Sequence, residues 1–397
     1  MASTIRVLCI IVVIIGLAGC KGSPNIALPP PPAPRAFVTN SHTPLSVTFC
    51  ICGCTIGCIV VCSNCCGGLA KHRHPLARRH ALGHPHHGVH MTALRIPMTL
   101  AVNLLNVYST PLNPSGAPTF MLGRPSGLLG RPGGIAFDSA GNMYVIDFNN
   151  NGSGVFGTIF VYHPPITATS VAAFSFTVPN ARNAFAIAFD SQGRLWATDE
   201  LRERIVRFNP PFNACSTPSL TWCGCAACIR PTGLAFDRSG ALYVGDGISD
   251  NVLVWRSCQI NGTSCVPINP PAPNASVCVF PCTCGFGCCS TPTGITFDTS
   301  QRMFVSYKEN GIVSVVTPPF GTSGTGPKFQ FTAPNHLVGG AFAVIDQNNN
   351  LFAPFVSDTG ANRGGIAVYI PPYSSSSAPI FVLTTSIDNP YGIAFGR

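Results

Sequence analysis

Apolar and polar positions alternate along most of this chain in short runs, which is typical of half-buried β-strands. One run recurs six times at intervals of 47 to 61 residues, and five of the six copies end in Asp. Repetition at such a period indicates an array of supersecondary units that bury their apolar faces only against one another. The six copies are residues 134–138, 186–190, 233–237, 294–298, 342–346 and 392–396.

Each unit contains three further β-rich runs after the repeated phrase. A tight turn follows the Asp, with Gly141, Gly193 and Gly240 as residues suited to positive φ. Asn349 tolerates the same conformation, whereas Gln301 departs from the rule. The third run stops at a Pro pair in units one, two, four and five, because proline cannot donate to a strand ladder. Four short strands per unit predict a β-propeller blade.

The two ends of the array complement each other. Residues 390–397 form a first strand with nothing after it, while residues 105–108 and 118–122 resemble third and fourth strands. We predict that they join in one composite blade, whose second strand comes from residues 94–102. The predicted fold is all-β, a six-bladed propeller with five full blades and one composite blade closed by the termini.

The repeated phrase resembles a known family. Its form is Pro-x-Gly-Ile-Ala-Phe-Asp-x-x-Gly-x-Leu-Tyr-Val-x-Asp, similar to the NHL repeat and to gluconolactonase-like six-bladed propellers over residues 94–397. The resemblance implies either a protein- or RNA-binding platform or a calcium-dependent lactonase or lyase with a cation in the axial channel. The first strands start with Gly133, Phe185, Thr232, Thr293 and Gly340, none of them acidic, which departs from the lactonase pattern.

The N-terminal part has a different composition. Residues 1–20 have the basic start, apolar stretch and small residues of a secretion signal. Leu17-Ala18-Gly19-Cys20 resembles the bacterial lipoprotein motif, which implies a lipid on Cys20 and an exported protein held at the cell envelope or surface. The alternative is an ordinary signal peptide that contains a Cys.

Three segments follow the signal in this interpretation. Residues 21–44 form a Pro-rich tether, residues 45–92 a low-complexity Cys-rich patch and His-rich basic linker, and residues 93–397 the propeller. Within the second segment, residues 45–62 are read as a disulfide-rich patch, with a membrane span or a disordered stretch as alternatives.

Charge argues against a nucleic-acid partner. The chain carries net +9, but residues 96–397 hold fifteen basic and fourteen acidic side chains, so the propeller is nearly neutral. The remaining charge lies in the signal, tether and linker, where it favours an anionic membrane surface or a soluble spacer.

Cysteines beyond Cys20 number 18 and fall in three clusters, which in an exported protein predicts disulfides. Zinc is the alternative, because Cys62-x-x-Cys65 and Cys225-x-x-Cys228 have ligand spacing.

Candidate binding residues lie where second strands end and first strands begin, around the axial channel of a propeller. Asp147, Asp199 and Asp246 close the second strands of blades one to three, and Tyr307 takes that place in blade four. Arg131, Arg182 and Arg230 precede the first strands. These residues could bind a ligand or a divalent cation such as calcium, although an Asp in this position also commonly accepts bonds from its own loop.

The sequence contains no convincing nucleophile–base pair or phosphate-loop motif. Our leading hypothesis is a lipid-anchored, non-enzymatic platform for a protein, peptide or glycan, with no required cofactor. One alternative is a divalent-metal-dependent lactonase- or lyase-like enzyme using the three Asp residues. Another is a structural envelope protein whose Cys/His-rich segment forms crosslinks or sequesters metal.

Overall fold

The computed structural model is an all-β ring of six antiparallel sheets, which confirms the predicted six-bladed propeller. The structure describes residues 34–53, 59–62, 94–122, 131–148, 157–223, 230–261, 275–278, 291–307, 311–320, 327–332, 337–338, 342–357, 364–387 and 390–396.

Strands account for most of the regular structure in the described residues. In chain order, the first twelve are β1 (Arg35–Gly53), β2 (Ile59–Cys62), β3 (Leu94–Ser109), β4 (Phe120–Leu122), β5 (Pro132–Phe137), β6 (Met143–Asp147), β7 (Thr158–Tyr162), β8 (Phe174–Thr177), β9 (Ala184–Phe189), β10 (Leu195–Asp199), β11 (Arg204–Phe208) and β12 (Leu220–Cys223). The others are β13 (Pro231–Phe236), β14 (Leu242–Asp246), β15 (Asn251–Trp255), β16 (Ala275–Cys278), β17 (Pro292–Phe297), β18 (Met303–Tyr307), β19 (Ile312–Val316), β20 (Phe329–Thr332), β21 (Leu337–Val338), β22 (Val344–Ile345), β23 (Leu351–Ser357), β24 (Gly364–Tyr369), β25 (Phe381–Leu383) and β26 (Pro390–Gly396). Helical structure in the same residues is one 3-10 turn, Glu200–Arg202, and one short helix, α1 (Ser257–Asn261).

Blades one to four each consist of four consecutive strands, β5–β8, β9–β12, β13–β16 and β17–β20. Blade five has a first strand in two pieces, since β21 and β22 both pair with β23, followed by β24 and β25. First strands of neighbouring blades contact each other around the ring, which places them at the axis.

The composite blade closes through the termini as predicted, but its second strand is not the one expected. β26 pairs with the start of β1, where Ala36 lies opposite Phe395 and Val38 opposite Ile393. The same residues of β1 pair on their other side with β3, and β3 pairs with β4. The prediction that residues 94–102 form the second strand is therefore wrong. Residues 35–40, from the segment read as a tether, fill that place because they pair with both neighbouring strands.

Beyond this blade, β1 and β3 continue as an antiparallel pair from Thr43 opposite Val102 to Ile51 opposite Leu94, and β2 pairs with the end of β1. Residues 45–53, read as a disulfide-rich patch, thus lie in a strand. No helix among the described residues is long and apolar enough to cross a membrane. Cys20 and the His-rich linker at 71–92 lie outside the described residues, so those predictions remain predictions.

The turns after the repeated Asp adopt the expected left-handed conformation. Gly141, Gly193 and Gly240 have φ of 83°, 71° and 78°. Asn349 has φ of 64°, and Gln301, the exception in sequence, also has φ of 61°. The Gln301 side chain donates to Asp298 O of its own turn at 3.2 Å and accepts from the Arg238 backbone N–H of blade three at 3.0 Å.

The core lies between blades, and buried tyrosines belong to it. Tyr108 of the composite blade donates to Thr385 O at 3.0 Å and accepts from Asn106 at 3.2 Å. Burial raises the pKa of Tyr108 to about 12, an effect that the Asn106 bond partly offsets. Blade five and the composite blade are thus joined by hydrogen bonds as well as by apolar packing.

Cysteines give a mixed result within the described residues. Cys215 is a free, exposed thiol, whereas Cys258 at the start of α1 is disulfide-bonded. Most of the three clusters lies outside the described residues, so the predicted disulfide framework and its zinc alternative remain predictions.

Candidate functional site

Two faces of the ring can be defined from the strand directions. We call loop face the side where second strands end and first strands begin. We call turn face the opposite side, which carries the Asp turns and the loops between third and fourth strands. On the loop face, Asp147 lies opposite Pro132, Asp199 opposite Ala184, and Asp246 opposite Pro231. The sequence therefore placed the three carboxylates correctly at this face.

All three carboxylates are buried and bind their own loops. Asp147 and Asp199 are 0% exposed and Asp246 is 3% exposed. Each accepts backbone N–H bonds from the residues that precede the first strand of its blade. The bonds run from Arg131 N to Asp147 Oδ1 at 2.9 Å, from Arg182 N and Asn183 N to Asp199 Oδ1 at 3.1 and 3.0 Å, and from Arg230 N to Asp246 Oδ1 at 2.9 Å.

The second carboxylate oxygen is also engaged in blades two and three. Arg204 forms an ion pair with Asp199 Oδ2 at 3.0 Å, and the Ser249 hydroxyl donates to Asp246 Oδ2 at 2.6 Å. These contacts match the structural alternative weighed for the three residues, in which Asp anchors a loop.

A channel cation fits these residues poorly. The three Asp residues lie in separate blades, and their oxygens already accept N–H bonds. The described residues contain no group of three or more His, Cys, Asp or Glu side chains that could hold a metal ion. Nothing in the arrangement of these side chains therefore supplies the oxygen-rich cage that calcium requires.

Side chains and backbone fill the axis itself. Thr232 and Thr293 are buried, and the single hydroxyl hydrogen of Thr232 is shared between two carbonyl oxygens within reach, Gly245 O at 2.9 Å and Pro292 O of the next blade. Phe342 belongs to blade five, yet it packs against the apolar cluster of blades two and three on the far side of the ring. Its side chain must therefore lie across the channel.

Tyr307 is not a surface group. It is 0% exposed, and its hydroxyl lies 3.0 Å from Ser314 Oγ within the same blade. In blade four, the position that carries Asp in blades one to three is thus taken by a buried core residue, Tyr307.

The three predicted arginines have different environments. Arg131 stacks over the Phe148 ring at 4.9 Å, and Arg182 is exposed. The Arg230 side chain is 44% exposed and forms an ion pair with Glu200 at 2.5 Å. Arg182 therefore presents positive charge on the loop face, whereas Arg230 is paired with Glu200 and Arg131 packs on an aromatic ring.

Glu200 joins blades two and three, a role that its position in the sequence does not reveal. It is buried, accepting from the Asn183 amide at 2.7 Å as well as from Arg230. Leu201 follows Glu200 in the chain, and Ile248 follows Gly247, whose N–H donates to Arg230 O. Both aliphatic side chains are exposed, Leu201 at 53% and Ile248 at 51%. We call the surface formed by Arg182, Leu201, Arg202, Arg230 and Ile248 the loop patch. Apolar residues in loops between strands were the signal that could have revealed it.

The turn face carries a cavity of 620 Å³ between blade five and the composite blade. Apolar side chains form most of its wall, among them Leu112, Phe352 and Phe395, and polar groups of the blade-five turn line one side, including Asp346. No sequence pattern pointed directly to this cavity, because its wall combines the two ends of the chain.

No protein-family model matches the chain, and no curated protein matches it in sequence. Among solved structures, a protein of unknown function from Bacteroides caccae is similar with a TM-score of 0.51 at 9% identity, covering 74% of this chain and 95% of the other. A putative 6-phosphogluconolactonase from Bacteroides fragilis has a TM-score of 0.48 at 9% identity, with 74% and 94% covered. Virginiamycin B lyase from Staphylococcus aureus has a TM-score of 0.37 at 12% identity, with 64% and 77% covered. At these identities structural similarity bears on the fold alone, and the fold of this chain is a six-bladed β-propeller.

Proposed function

We propose that this protein is an exported, lipid-anchored, non-enzymatic binding platform that holds a protein, peptide or glycan on its loop patch. The observation that carries the proposal is the pair of half-exposed aliphatic side chains, Leu201 and Ile248, on adjacent loops of one face. Exposed apolar side chains grouped among polar ones are typical of interaction surfaces.

The two loops are held together before any partner binds. Arg230 donates its side chain to Glu200, which precedes Leu201, and its carbonyl accepts the Gly247 N–H at 2.9 Å, next to Ile248. Asp246 also holds the backbone of Arg230 in place by accepting its N–H. Such preorganisation reduces the conformational entropy lost on binding and favours a stable contact surface.

The charged side chains of the loop patch indicate which chemical groups a partner would carry. Arg182 and Arg202 are exposed, with Glu203 as an exposed acidic neighbour, and Arg230 is already paired with Glu200. A partner with a carboxylate or sulfate beside an apolar group complements this surface best, because arginine recognises planar anions through paired N–H donors.

Anchor geometry supports the use of the loop face. β1 enters the ring at Arg35 on the turn face, and Cys20 lies 15 residues earlier in the chain. Fifteen residues span at most about 50 Å when fully extended. A lipid on Cys20 would therefore be connected to the ring through the turn face, the side opposite the loop patch.

The metal-dependent lactonase or lyase alternative has less support. It would take Asp147, Asp199 and Asp246 as ligands, and their oxygens are engaged in anchoring loops. The proposed role for these residues is to hold the binding surface rather than to contact a reacting atom.

Paired charge substitutions in the loop patch test the proposal. We expect the double variant Leu201→Asp, Ile248→Asp of the full chain to lose at least about tenfold in signal on peptide and glycan arrays, since hot-spot losses exceed roughly 1 kcal/mol. Both side chains are exposed, so the melting temperature should change little.

The control is Val171→Asp, which alters a side chain 62% exposed on the turn face of blade one and should bind as the unaltered protein does. Array binding that survives the double variant would place the partner elsewhere. A full chain that binds no array component would contradict the platform proposal.

Membrane attachment has its own test. We expect Cys20→Ser to move the protein from the membrane fraction to the soluble fraction, with the ring still folded because it begins at Arg35. Fractionation followed by immunoblotting, with circular dichroism of the released protein, measures both. A Cys20→Ser protein that stays with the membrane would show that the lipid anchor is not what holds it.

A further inference from the structure

The turn face has one apolar wedge at each junction between blades. After the third strand, the chain passes a proline and inserts one apolar side chain between its own blade and the preceding one. In blade three, α1 supplies this side chain instead. We call these side chains wedge residues: Ile166, Phe212, Ile260, Phe320, Tyr373 and Leu112 for blades one to five and the composite blade, in that order.

Two of the wedges have nearly the same three-ring geometry. Between blades one and two, the Phe212 ring lies 5.5 Å from Tyr144 and 6.0 Å from Phe189, and those two rings are 4.9 Å apart. Between blades three and four the corresponding distances, set by Phe320, are 5.6, 6.1 and 4.8 Å. At these two junctions the wedge residue therefore adds a third ring to an edge-to-face pair. The pairs Phe37–Phe137 and Trp196–Phe236 instead meet aliphatic wedge residues, Ile166 and Ile260.

The junction between blade five and the composite blade has the pair without the third ring. Phe352 and Phe395 lie 4.9 Å apart at 74°, close to the Tyr144–Phe189 pair at 4.9 Å and 77°. Leu112 occupies the wedge position, and here the cavity of 620 Å³ opens. The composite blade also has no continuous turn between its first and second strands, because they come from opposite chain ends.

The carboxylate of the cavity accepts one side-chain bond fewer than its counterpart in blade one. In blades one and three, Asp138 and Asp237 accept the hydroxyls of Tyr144 and Tyr243 at 3.3 and 3.1 Å. Burial, with the nearby carboxylate, raises the pKa of both tyrosines, so these hydroxyls remain donors. In blade five the aromatic is Phe352, which has no hydroxyl.

Asp346, the counterpart of those carboxylates in blade five, lines the cavity. Its Oδ1 accepts two turn N–H groups and its Oδ2 accepts the Asn350 amide at 2.9 Å. Asp138 accepts the same kind of amide bond and a hydroxyl on one oxygen, so Asp346 Oδ2 has room for one further donor.

We infer that this cavity binds a small aromatic molecule carrying a hydroxyl or amine donor. The ring packs beside Leu112 against Phe352 and Phe395, close to the place that Phe212 and Phe320 take in their wedges, and the donor binds Asp346. The cavity volume lies in the range of small-molecule sites, and apolar walls with one fixed polar group are typical of them. This site is independent of the proposed partner surface on the loop face.

Methyl NMR of the full chain with p-cresol as the probe tests the inference without a mutation. We expect saturable shifts at the methyl groups of Leu112, Ile370 and Ile380, which line the cavity, with a dissociation constant on the order of 1 mM. The methyl groups of Ile166 and Ile260, in filled wedges, should not move. Unchanged cavity methyls, or shifts of equal size at all five residues, would overturn the site.

Leu112→Phe supplies the matched variant, because it places in this wedge the side chain found at Phe212 and Phe320. It should weaken p-cresol binding at least about tenfold by filling the third ring position. Phe320→Leu is the reverse exchange and should open a new p-cresol site between blades three and four. A Leu112→Phe protein that binds p-cresol as before would contradict the ring placement.

Two further probes decide the chemistry. Toluene has the ring without the donor and should bind several-fold more weakly than p-cresol; equal binding would refute the role of Asp346. A tyrosine-containing peptide should bind no better than p-cresol. If the peptide binds and p-cresol does not, the small-molecule inference is wrong and the cavity takes a peptide side chain.

Discussion

A chain that ends at residue 389 should fail to form a stable ring. β26 pairs with β1 from Arg35 to Asn40. Its Ile393 and Ala394 are buried, and Ile393 belongs to the core between blade five and the composite blade. Loss of this strand removes a ladder and its core contacts, which we expect to cost roughly 5 kcal/mol or more, comparable to the whole stability of many domains. It also leaves an unpaired edge on β1 that favours aggregation.

Thermal melting and size-exclusion chromatography measure both effects. The truncated protein should melt at much lower temperature and elute in part as aggregate. A circular permutant that joins residue 396 to residue 35 is the matched control, because it keeps β26 and links two residues that already pair. It should melt near the temperature of the intact chain. A truncated protein as stable as the intact one would show that β26 does not close the ring.

Repetition explains why most of this fold could be predicted from sequence. The phrase that ends in Asp138 and its copies marks each first strand, and left-handed turns follow at the expected positions. The second strand of the composite blade was missed for a topological reason. Its residues stand before the Cys/His-rich segment, and Asn40 precedes its partner on the third strand, Leu104, by 64 positions.

Its residues nevertheless match the repeat. Ala36-Phe37-Val38-Thr39-Asn40 aligns with Leu195-Trp196-Ala197-Thr198-Asp199 of blade two, with an aromatic second and a hydroxyl fourth. In the structure Phe37 packs against Phe137 at 5.2 Å, as Tyr144 packs against Phe189 in blade one. A search for the second-strand pattern in isolation would have found this segment.

The candidate site was less predictable than the fold. Sequence located Asp147, Asp199 and Asp246 at the correct face, but an Asp that caps a loop and an Asp that binds a ligand have the same position and residue type. Only the hydrogen bonds that each carboxylate accepts from backbone N–H groups distinguish the two roles, and these bonds depend on the path of the preceding loop. Exposure of Leu201 and Ile248 likewise depends on how two loops meet.

Replacing Gly233 with Ala should destabilise the protein by roughly 3 kcal/mol or more, as for an overpacked core. Gly233 stands at the glycine position of the repeated phrase, on the first strand of blade three. A Cβ atom there would overlap the carbonyl oxygen of Thr293, which belongs to the first strand of blade four. Backbone cannot rotate away as a flexible side chain can, so the two blades would have to separate. Close approach of first strands therefore explains the glycine at positions 233 and 392, where a Cβ of residue 392 would lie 2.9 Å from Gly133 O. Blade two has Ala186 at the same place of the phrase.

Gly193→Ala is the control that separates this cause from backbone strain. Gly193 has φ of 71°, but no atom lies within 4 Å of the position that a Cβ would occupy. Its replacement should cost only the left-handed penalty of an L-residue, about 1 to 2 kcal/mol. Urea unfolding of the unaltered protein and of both variants gives the change in unfolding free energy for each variant, provided that the slope of free energy against urea concentration is the same. If Gly233→Ala is no more destabilising than Gly193→Ala, the first strands do not pack backbone against backbone at the axis. A larger loss of unfolding free energy for Gly233→Ala, with an unchanged melting temperature for Gly193→Ala, would still support backbone packing at the axis. It would also show that the turn at Gly193 relaxes without cost.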